Sequence, residues 1–436
     1  MIIHNHLRKF SISLQTIRTY ILGSPTVCEK IFYLLFFLGL IVLRFPNILI
    51  HGRVWAEEGL AFLQQGFTLP WPEALFSSVG GYLNIVANLA GIIAAKLLPL
   101  EWARFVGPLT GLFFQGLTGA ILLFSSFEWL QNRVSLLLAL LLIAIAPLVD
   151  EVWLNSLHPQ FHLTLCAALI LAMPAPINKC IRLLHLVILL LAPFCGPTAW
   201  FLLPLFILRS LDEKLLYRLY QTLIIFIGVL LQYILFYKAA DSGQADFNVW
   251  LMPFILLLKF VFIPFIPFYK ISLKVASFFH ILSLESSAAF YLFSIALMII
   301  GLVFIGFILL HLWRRFPRSI FWLFCAGTLI AILSCAFPRG GSAHMLNLTA
   351  GNRYIFVPQV LFSLCLLGVT SCTKGRNSLI FGLLLSSTLL SGFNHFSNQF
   401  SVYSPHTNWI QEVHAWRDDH THIIKIDPQG WTVRLP

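Results

Sequence analysis

The sequence predicts an all-α, polytopic membrane protein, and three observations lead to that class. Of the 436 residues, 59% are hydrophobic, and the mean hydropathy is +0.86. Apolar runs of about 18 to 22 residues recur along the chain, which is the length at which a helix crosses the hydrocarbon core of a bilayer. Only 10% of the residues are charged, and they gather at the ends of these runs. We therefore expect a transmembrane helical bundle of about 11–13 spans.

Basic residues set the expected orientation of this bundle. Residues 1–30 carry one acid, Glu29, against four basic residues: Arg8, Lys9, Arg18 and Lys30. By the positive-inside rule this segment is cytoplasmic. The net charge of +11 then reflects basic loops that face anionic lipid, and no nucleic-acid partner is expected. A bacterial inner membrane, with the active site outside, is the expected location.

The expected organisation follows from the apolar runs. Residues 31–393 form the transmembrane domain, with a first outer loop over 50–104, and residues 394–436 form a short polar tail on the outer side. The spans are expected at 31–49, 105–125, 134–149, 159–174, 181–209 (a hairpin broken at Cys195-Gly-Pro197), 219–238, 288–310, 320–337, 354–372 and 379–393.

Two segments need separate interpretation. Residues 80–98 are apolar, but they carry Asn84 and Asn88, which at i,i+4 share one helix face. This pattern favours a helix that lies in the membrane plane within the first outer loop. Residues 239–287 mix charges, aromatics and prolines, so they form either two short spans or an outer loop with in-plane helices. We favour the loop.

The first candidate site is a pair of adjacent carboxylates, Glu57 and Glu58, just after the first apolar run. Ionisable groups beside hydrocarbon are costly to keep, so such a pair is a candidate reaction centre. The plainer interpretation is a solvated pair that interacts with the positive end of a helix.

Other outer segments add carboxylates, cations and polar groups. They are Asp150, Glu151, Asn155 and His158 in one loop, Lys270 and Lys274 in a second, and Arg339, Arg353 and Tyr354 in a third. Acids beside arginines at the lipid boundary suit a reaction in which a hydroxyl or amine attacks while a phosphate leaves. A carboxylate would take the proton of the nucleophile, and the planar fork of an arginine would hold the phosphate.

The order of these motifs resembles the GT-C fold glycosyltransferases. The first span ends in Arg44-Phe45-Pro46, the first loop reads Trp-Ala-Glu57-Glu58-Gly-x-x-Phe62, and a second outer loop begins with Asp150-Glu151. The pattern covers roughly residues 30–210, with the outer Asn352-Arg353-Tyr354 in addition. Protein O-mannosyltransferases, the lipid A aminoarabinose transferase and single-subunit oligosaccharyltransferases look similar. In this superfamily an acid of the first outer loop is catalytic, and the donor is a polyprenyl-linked sugar.

The resemblance implies an inverting transfer from a polyprenyl-phosphate-linked sugar to a glycan, lipid or protein acceptor on the outer face. Glu58 or Glu57 would be the base. Arg353, Arg339, Lys270 and Lys274 would bind the donor phosphate, and Asp150, Glu151, Asn155, His158 and Tyr354 would bind the acceptor or sugar. The chain departs from the family in carrying Glu-Glu where Asp or Asp-Glu is usual, and in lacking Asp-x-Asp in the second loop.

Metal and cofactor chemistry is not firmly predicted. The eight cysteines include no Cys-x-x-Cys pair, so neither a disulfide framework nor a cysteine zinc site is expected. His158 and His162 could bind a divalent metal together with Glu151, but Pro159 between them disfavours a regular helix there. The alternatives to a glycosyltransferase are a transporter or flippase of lipid-linked glycans, a membrane acyltransferase that uses a histidine, and a non-enzymatic assembly subunit.

Overall fold

The computed structural model describes residues 23–236, 247–285, 287–338, 340–397 and 403–436. In these ranges the chain is mostly helical, with two short antiparallel β-hairpins, which confirms the all-α class. Most of the basic N-terminal segment lies outside the described residues, and so does the candidate Arg339.

The α-helices are given in chain order. They are α1 (Val27–Arg44), α2 (Pro46–His51), α3 (Gln64–Thr68), α4 (Trp71–Leu75), α5 (Ile85–Ile92), α6 (Ala103–Leu123), α7 (Arg133–Ala144), α8 (Pro159–Ala172), α9 (Lys179–Leu191), α10 (Leu203–Glu213), α11 (Leu216–Phe236), α12 (Met252–Leu257), α13 (Ile263–Phe265), α14 (Tyr269–Glu285), α15 (Ala288–Arg315), α16 (Arg318–Ala336), α17 (Arg353–Cys372), α18 (Arg376–Ser397) and α19 (Trp409–Asp418).

Shorter elements join these helices. The π-helical turns are Glu58–Leu63, Ile93–Leu97 and Leu258–Phe262, and the 3₁₀ turns are Leu100–Trp102, Glu128–Leu130, Asp150–Val152, Ala192–Phe194, Pro197–Leu202, Val249–Leu251 and Ser342–Leu346. The hairpins pair β1 (Ser78–Val79) with β2 (Tyr82–Leu83), and β3 (Ile424–Ile426) with β4 (Trp431–Val433).

Six helices in the described ranges are long and apolar enough to cross a membrane: Leu100–Leu123, Leu216–Ile234, Ala288–Arg315, Arg318–Ala336, Arg353–Cys372 and Arg376–Ser397. This is the composition of an integral membrane protein. Only 6% of the apolar window of α15 is buried inside the protein, so nearly all of that helix is left for lipid to cover. The larger number of spans stays a prediction.

Several expected spans differ in the structure, and proline explains two of the differences. The run 31–49 is not one helix, because α1 ends at Arg44 and Pro46 opens α2. A proline fits the first turn of a helix but disfavours its interior, where it removes a backbone donor and clashes with the preceding turn. In the run 134–149 the helix ends at Ala144, ahead of Pro147. The last run is longer than expected, since α18 extends to Ser397.

The break expected at Cys195-Gly-Pro197 is confirmed, because one 3₁₀ turn ends at Phe194 and the next begins at Pro197. The segment expected as a span at 159–174 is α8, in which every residue is buried. Pro159 occupies the first turn of α8, so the proline between His158 and His162 starts a helix instead of disrupting one. Helix α8 is therefore at the centre of the bundle and not at its lipid surface.

The helix expected in the membrane plane over 80–98 is shorter in the structure, and it follows directly after the hairpin of β1 and β2. Strand β2 leads into α5, and Asn84 caps that helix by accepting a hydrogen bond from the Ala87 N–H. Asn84 also donates to the Leu157 carbonyl, while Asn88 donates to the carbonyls of Leu75 and Ser77. Both asparagines are buried by protein. They anchor the loop, and do not form the polar face that the expected helix would turn to water.

Ion pairs sort the helix ends into two groups. Glu29 at the start of α1 pairs with Arg133 at the start of α7. Arg44 at the other end of α1 pairs with Asp150, just beyond the other end of α7. Each pair joins residues that the sequence places on the same side of the membrane, so the pairing is consistent with the expected threading. The absolute orientation stays a prediction.

Residues 403–436 are not simply a polar tail. Ile424, Ile426 and Val433 are buried, and they form a hydrophobic cluster with residues of the first outer loop. The backbone of Asp427 lies beside that loop, where its N–H donates to the Val54 carbonyl and its carbonyl accepts from the Ala56 N–H. This C-terminal unit is thus fastened to the segment that carries Glu57 and Glu58.

Candidate functional site

Glu58 is a buried carboxylate that joins the first outer loop to the second. Its side chain accepts the Trp55 N–H at 3.0 Å on one oxygen. The other oxygen accepts the Ser156 N–H at 2.5 Å and the Ser156 hydroxyl at 2.7 Å. Gly107 of α6 makes room for this group, because a Cβ at that position would lie 2.3 Å from a Glu58 oxygen. The residue is only 7% exposed.

The environment of Glu58 acts on its charge in two opposing ways. Burial raises the pKa of Glu58 above its ordinary value, and the hydrogen bonds from Ser156 together with the charge of Arg53 act in the opposite direction. Burial dominates, so protonation is easier here than for a solvated glutamate. A carboxylate with a raised pKa is a stronger proton acceptor than a solvated one, which suits general-base catalysis.

Arg53 is the cation next to Glu58, and the sequence analysis missed it. Burial lowers its pKa to about 10, against the opposing charges of Glu58 and Asp427. Its guanidinium lies 4.5 Å from the centre of the Trp55 ring and donates to the carbonyls of Leu154 and Tyr403. It therefore links both outer loops to the start of the C-terminal unit. The only sequence signal was its position immediately before Val-Trp-Ala-Glu-Glu.

A small cavity adjoins Glu58. Its volume is about 20 Å³, and Arg53, Glu58 and Ser156 line it together with apolar residues of the first outer loop, α5 and α6. A water molecule needs roughly 10–15 Å³ measured in this way, so the cavity has room for one water but not for a sugar ring. In this conformation a substrate reaches the Glu58 carboxylate only after these elements move.

The second outer loop carries a second pair of charges. Glu151 accepts a hydrogen bond from the Arg353 guanidinium, and the His158 Nε2 lies 3.8 Å from the same carboxylate oxygen. Arg353 begins α17 and lies over the Tyr354 ring at 5.1 Å. Its side chain is 28% exposed, more than that of any other charged residue in this group.

His158 lies within the fields of both arginines. Its pKa is held well below the usual value, first by burial and then by the charges of Arg353 and Arg53. The imidazole is therefore neutral near pH 7. Its Nδ1 is buried and has no hydrogen-bond partner in the described part of the chain. A neutral, buried imidazole near two guanidiniums can form a hydrogen bond with a ligand more easily than it can take up a proton and become charged.

Asp150 and Asn155 hold the second loop in place. Asp150 forms a buried ion pair with Arg44, whose Nε and one terminal nitrogen both donate to the same carboxylate oxygen. The Asn155 amide donates to the Glu151 and Trp153 carbonyls, and its oxygen accepts the backbone N–H groups of the two residues after Ser156. Both side chains are occupied within the protein, and these contacts fix the backbone between Glu151 and His158.

The structure does not bring the other candidates into this group. Glu57 is half-buried, and its carboxylate makes no hydrogen bond or ion pair among the described residues. Lys270 and Lys274 are exposed on α14, and neither contacts Glu58, Glu151 or Arg353. Nothing in the described ranges forms a cluster of three or more His, Cys, Asp or Glu residues able to hold a metal ion.

The two halves of the site are joined by one loop. Glu58 bonds to Ser156, and Glu151 of the same loop bonds to Arg353, so the segment 151–158 spans the distance between them. Glu58 and Arg353 do not line the same small cavity. Comparison of the chain with protein-family models, curated proteins and solved structures finds no match.

Proposed function

We propose that the protein is an integral membrane glycosyltransferase of the GT-C type, which moves a sugar from a polyprenyl-phosphate carrier to an acceptor on the outer face. The proposal rests on the contacts that the loop 151–158 makes with two charged side chains. One end of it holds a buried carboxylate, Glu58, whose pKa is raised, and the other end holds a partly exposed arginine, Arg353.

The reaction assigned to this site is a single displacement. The acceptor hydroxyl loses its proton to Glu58 while its oxygen bonds to the anomeric carbon. The bond from that carbon to the phosphate oxygen breaks on the opposite face, so the configuration inverts. Polyprenyl phosphate leaves, and Arg353 neutralises its charge through paired N–H donors. Arg339 and the two lysines of α14 stay secondary candidates for phosphate binding.

The remaining residues would support this chemistry. Glu151 and His158 flank Arg353, where they could orient the donor sugar, and Tyr354 provides a ring beside it. Asp150 and Asn155 would act by holding the loop, because their polar atoms are already engaged. Because the cavity beside Glu58 accepts one water only, the proposal requires the first outer loop to open for substrate.

A histidine-dependent acyltransferase finds less support. The His162 Nε2 is 3.2 Å from the Val152 carbonyl, and the ring packs between Trp153 and Phe356. His158 is held neutral beside cations, which disfavours the imidazolium that forms when a histidine acts as a base. The polyprenyl-phosphate sugar and the acyl donor are distinguished directly by which of them the protein consumes.

The test replaces Glu58 and Glu57 in turn. Membranes that contain the Glu58→Ala or Glu57→Ala variant are supplied with a panel of polyprenyl-phosphate-linked sugars, and released polyprenyl phosphate is measured. Removal of a general base costs about 100- to 10,000-fold in rate, and we expect that loss for Glu58→Ala. Glu73→Ala is the matched control, since Glu73 is an exposed acid of the same loop. Full transfer by both Glu57→Ala and Glu58→Ala would remove the proposed base.

A further inference from the structure

Lys259 is a fully buried lysine that the reaction above does not use. It lies in the π-helical turn Leu258–Phe262, between α12 and α13, and is 0% exposed. No carboxylate lies within ion-pair distance of its ammonium group among the residues that the structure describes. Burying an ammonium with only neutral partners is costly, so its position calls for a geometric explanation.

All the partners of this ammonium belong to one short segment, the Asn347–Asn352 turn. Nζ donates to the Asn347 carbonyl at 2.9 Å, the Ala350 carbonyl at 3.2 Å and the Asn352 Oδ1 at 3.1 Å. A lysine ammonium has three N–H donors, and here each has an acceptor. The side chain therefore ties together the turn that leads into α17.

Asn352 shows what this contact does to the helix. It occupies the N-cap position of α17, where an asparagine commonly accepts a hydrogen bond from a helix N–H. Its side chain makes no such bond here and accepts from Lys259 instead. Farther along the helix, the Gln359 amide donates to the Lys259 carbonyl at 3.0 Å. Lys259 is thus attached to α17 on both sides of the first turn, which begins at Arg353.

We infer that Lys259 is a positioning residue, which fixes the start of α17 so that the Arg353 guanidinium faces Glu151 and the phosphate of the lipid donor. The inference rests on the proposed function for the identity of that ligand. The position of the start of α17 relative to the second outer loop can be measured separately, without the ligand. Lys259 acts through Arg353 and does not touch the phosphate.

The first experiment measures, without any lipid, how close position 353 at the start of α17 lies to position 151. Cysteines are introduced by Glu151→Cys and Arg353→Cys, after replacement of the exposed native Cys28, Cys180 and Cys372 by serine. Cross-linking by a short bismaleimide is then compared in detergent with Lys259 intact, with Lys259→Met and with Lys259→Arg. We expect a severalfold loss of cross-linking for Lys259→Met and substantial recovery for Lys259→Arg. Equal yields in all three would overturn the inference.

The second experiment measures lipid binding to the otherwise native chain. The probes are tritiated citronellyl phosphate, a short isoprenoid monophosphate of two isoprene units, and citronellol, which lacks the phosphate. We expect Lys259→Met to weaken phosphate binding about tenfold, the scale of one charged hydrogen bond, with citronellol binding unchanged. In the Arg353→Ala background, Lys259→Met should have no further effect. A loss of equal size for both probes would indicate general unfolding and would contradict the inference.

The two experiments separate the inference from the proposed function. If Arg353→Ala leaves citronellyl phosphate binding unchanged, the phosphate role of Arg353 fails, and cross-linking still decides whether Lys259 positions it. If Lys259→Met does not yield a monodisperse protein, Asn352→Ala removes one of the three acceptors while keeping the buried cation. The same changes in cross-linking and binding, smaller in size, are then expected, and their absence would refute the positioning role.

Discussion

Gly107 offers the sharpest test of the buried carboxylate, because its missing side chain makes the space that Glu58 occupies. A Cβ at position 107 would lie 2.3 Å from one Glu58 oxygen and 2.8 Å from the carboxyl carbon, whereas ordinary contacts begin at 3.4 Å. The Gly107→Ala variant must therefore displace the carboxylate by roughly 1 Å. An error of that size in a reacting group costs about 100-fold in rate, equivalent to about 2.7 kcal/mol in the barrier.

The substitution is otherwise mild. Alanine favours a helix interior over glycine by about 1 kcal/mol, so α6 should remain intact. Gly116→Ala on the same helix is the matched control, because its Cβ would meet the flexible end of Leu38 at 3.2 Å. Release of polyprenyl phosphate and the thermal midpoint are measured for both variants. If Gly107→Ala works at the rate of Gly116→Ala while Glu58→Ala is inactive, the position of the Glu58 carboxylate does not limit the reaction, and the reasoning fails.

Two further predictions concern the same loops. Ser156→Ala removes a hydroxyl donor that lowers the pKa of Glu58. Because the base must be ionised to act, the acidic limb of the pH–rate profile should shift to higher pH, and a shift to lower pH or none would contradict the assignment. Arg44→Met leaves the buried Asp150 carboxylate without its partner, a loss of about 3–5 kcal/mol. The unfolding midpoint should recover in the Arg44→Met/Asp150→Leu double variant, and failure of the single change to destabilise would refute the structural role of this pair.

Local signals in the sequence were sufficient for the helix class and several boundaries. Apolar runs of membrane length gave the helical class, and the glycine–proline step at Cys195-Gly-Pro197 gave a chain break that the structure contains. The break after Arg44 had a signal as well, because the residue before a proline avoids helical geometry. Hydropathy alone does not mark this break, because the apolar run continues to residue 49.

Which distant residues pair with each other could not be deduced from the sequence in the same way. Arg44 and Asp150 are separated by 106 positions, and Asn84 finds its carbonyl partner 73 positions away. Such pairs depend on how the helices pack, which neither periodicity nor charge order specifies. The packing of the tail could not be deduced for a related reason, since its apolar residues are few and only pairing with the first outer loop makes them a core.

The two arginine–carboxylate pairs of the second loop differ in a way that separates structure from function. Arg44 and Asp150 are 0% and 5% exposed, so exchanging either partner leaves an uncompensated buried charge at a cost of several kcal/mol. Arg353 and Glu151 are 28% and 17% exposed, so this pair is partly open to water, which weakens an ion pair relative to a fully buried one. Under the proposed function, a phosphate would therefore exchange with Glu151 for Arg353 more easily than a ligand could displace Asp150 from Arg44. The adjacent acids would then have separate tasks, because Asp150 fixes the backbone and Glu151 holds an arginine that it can release.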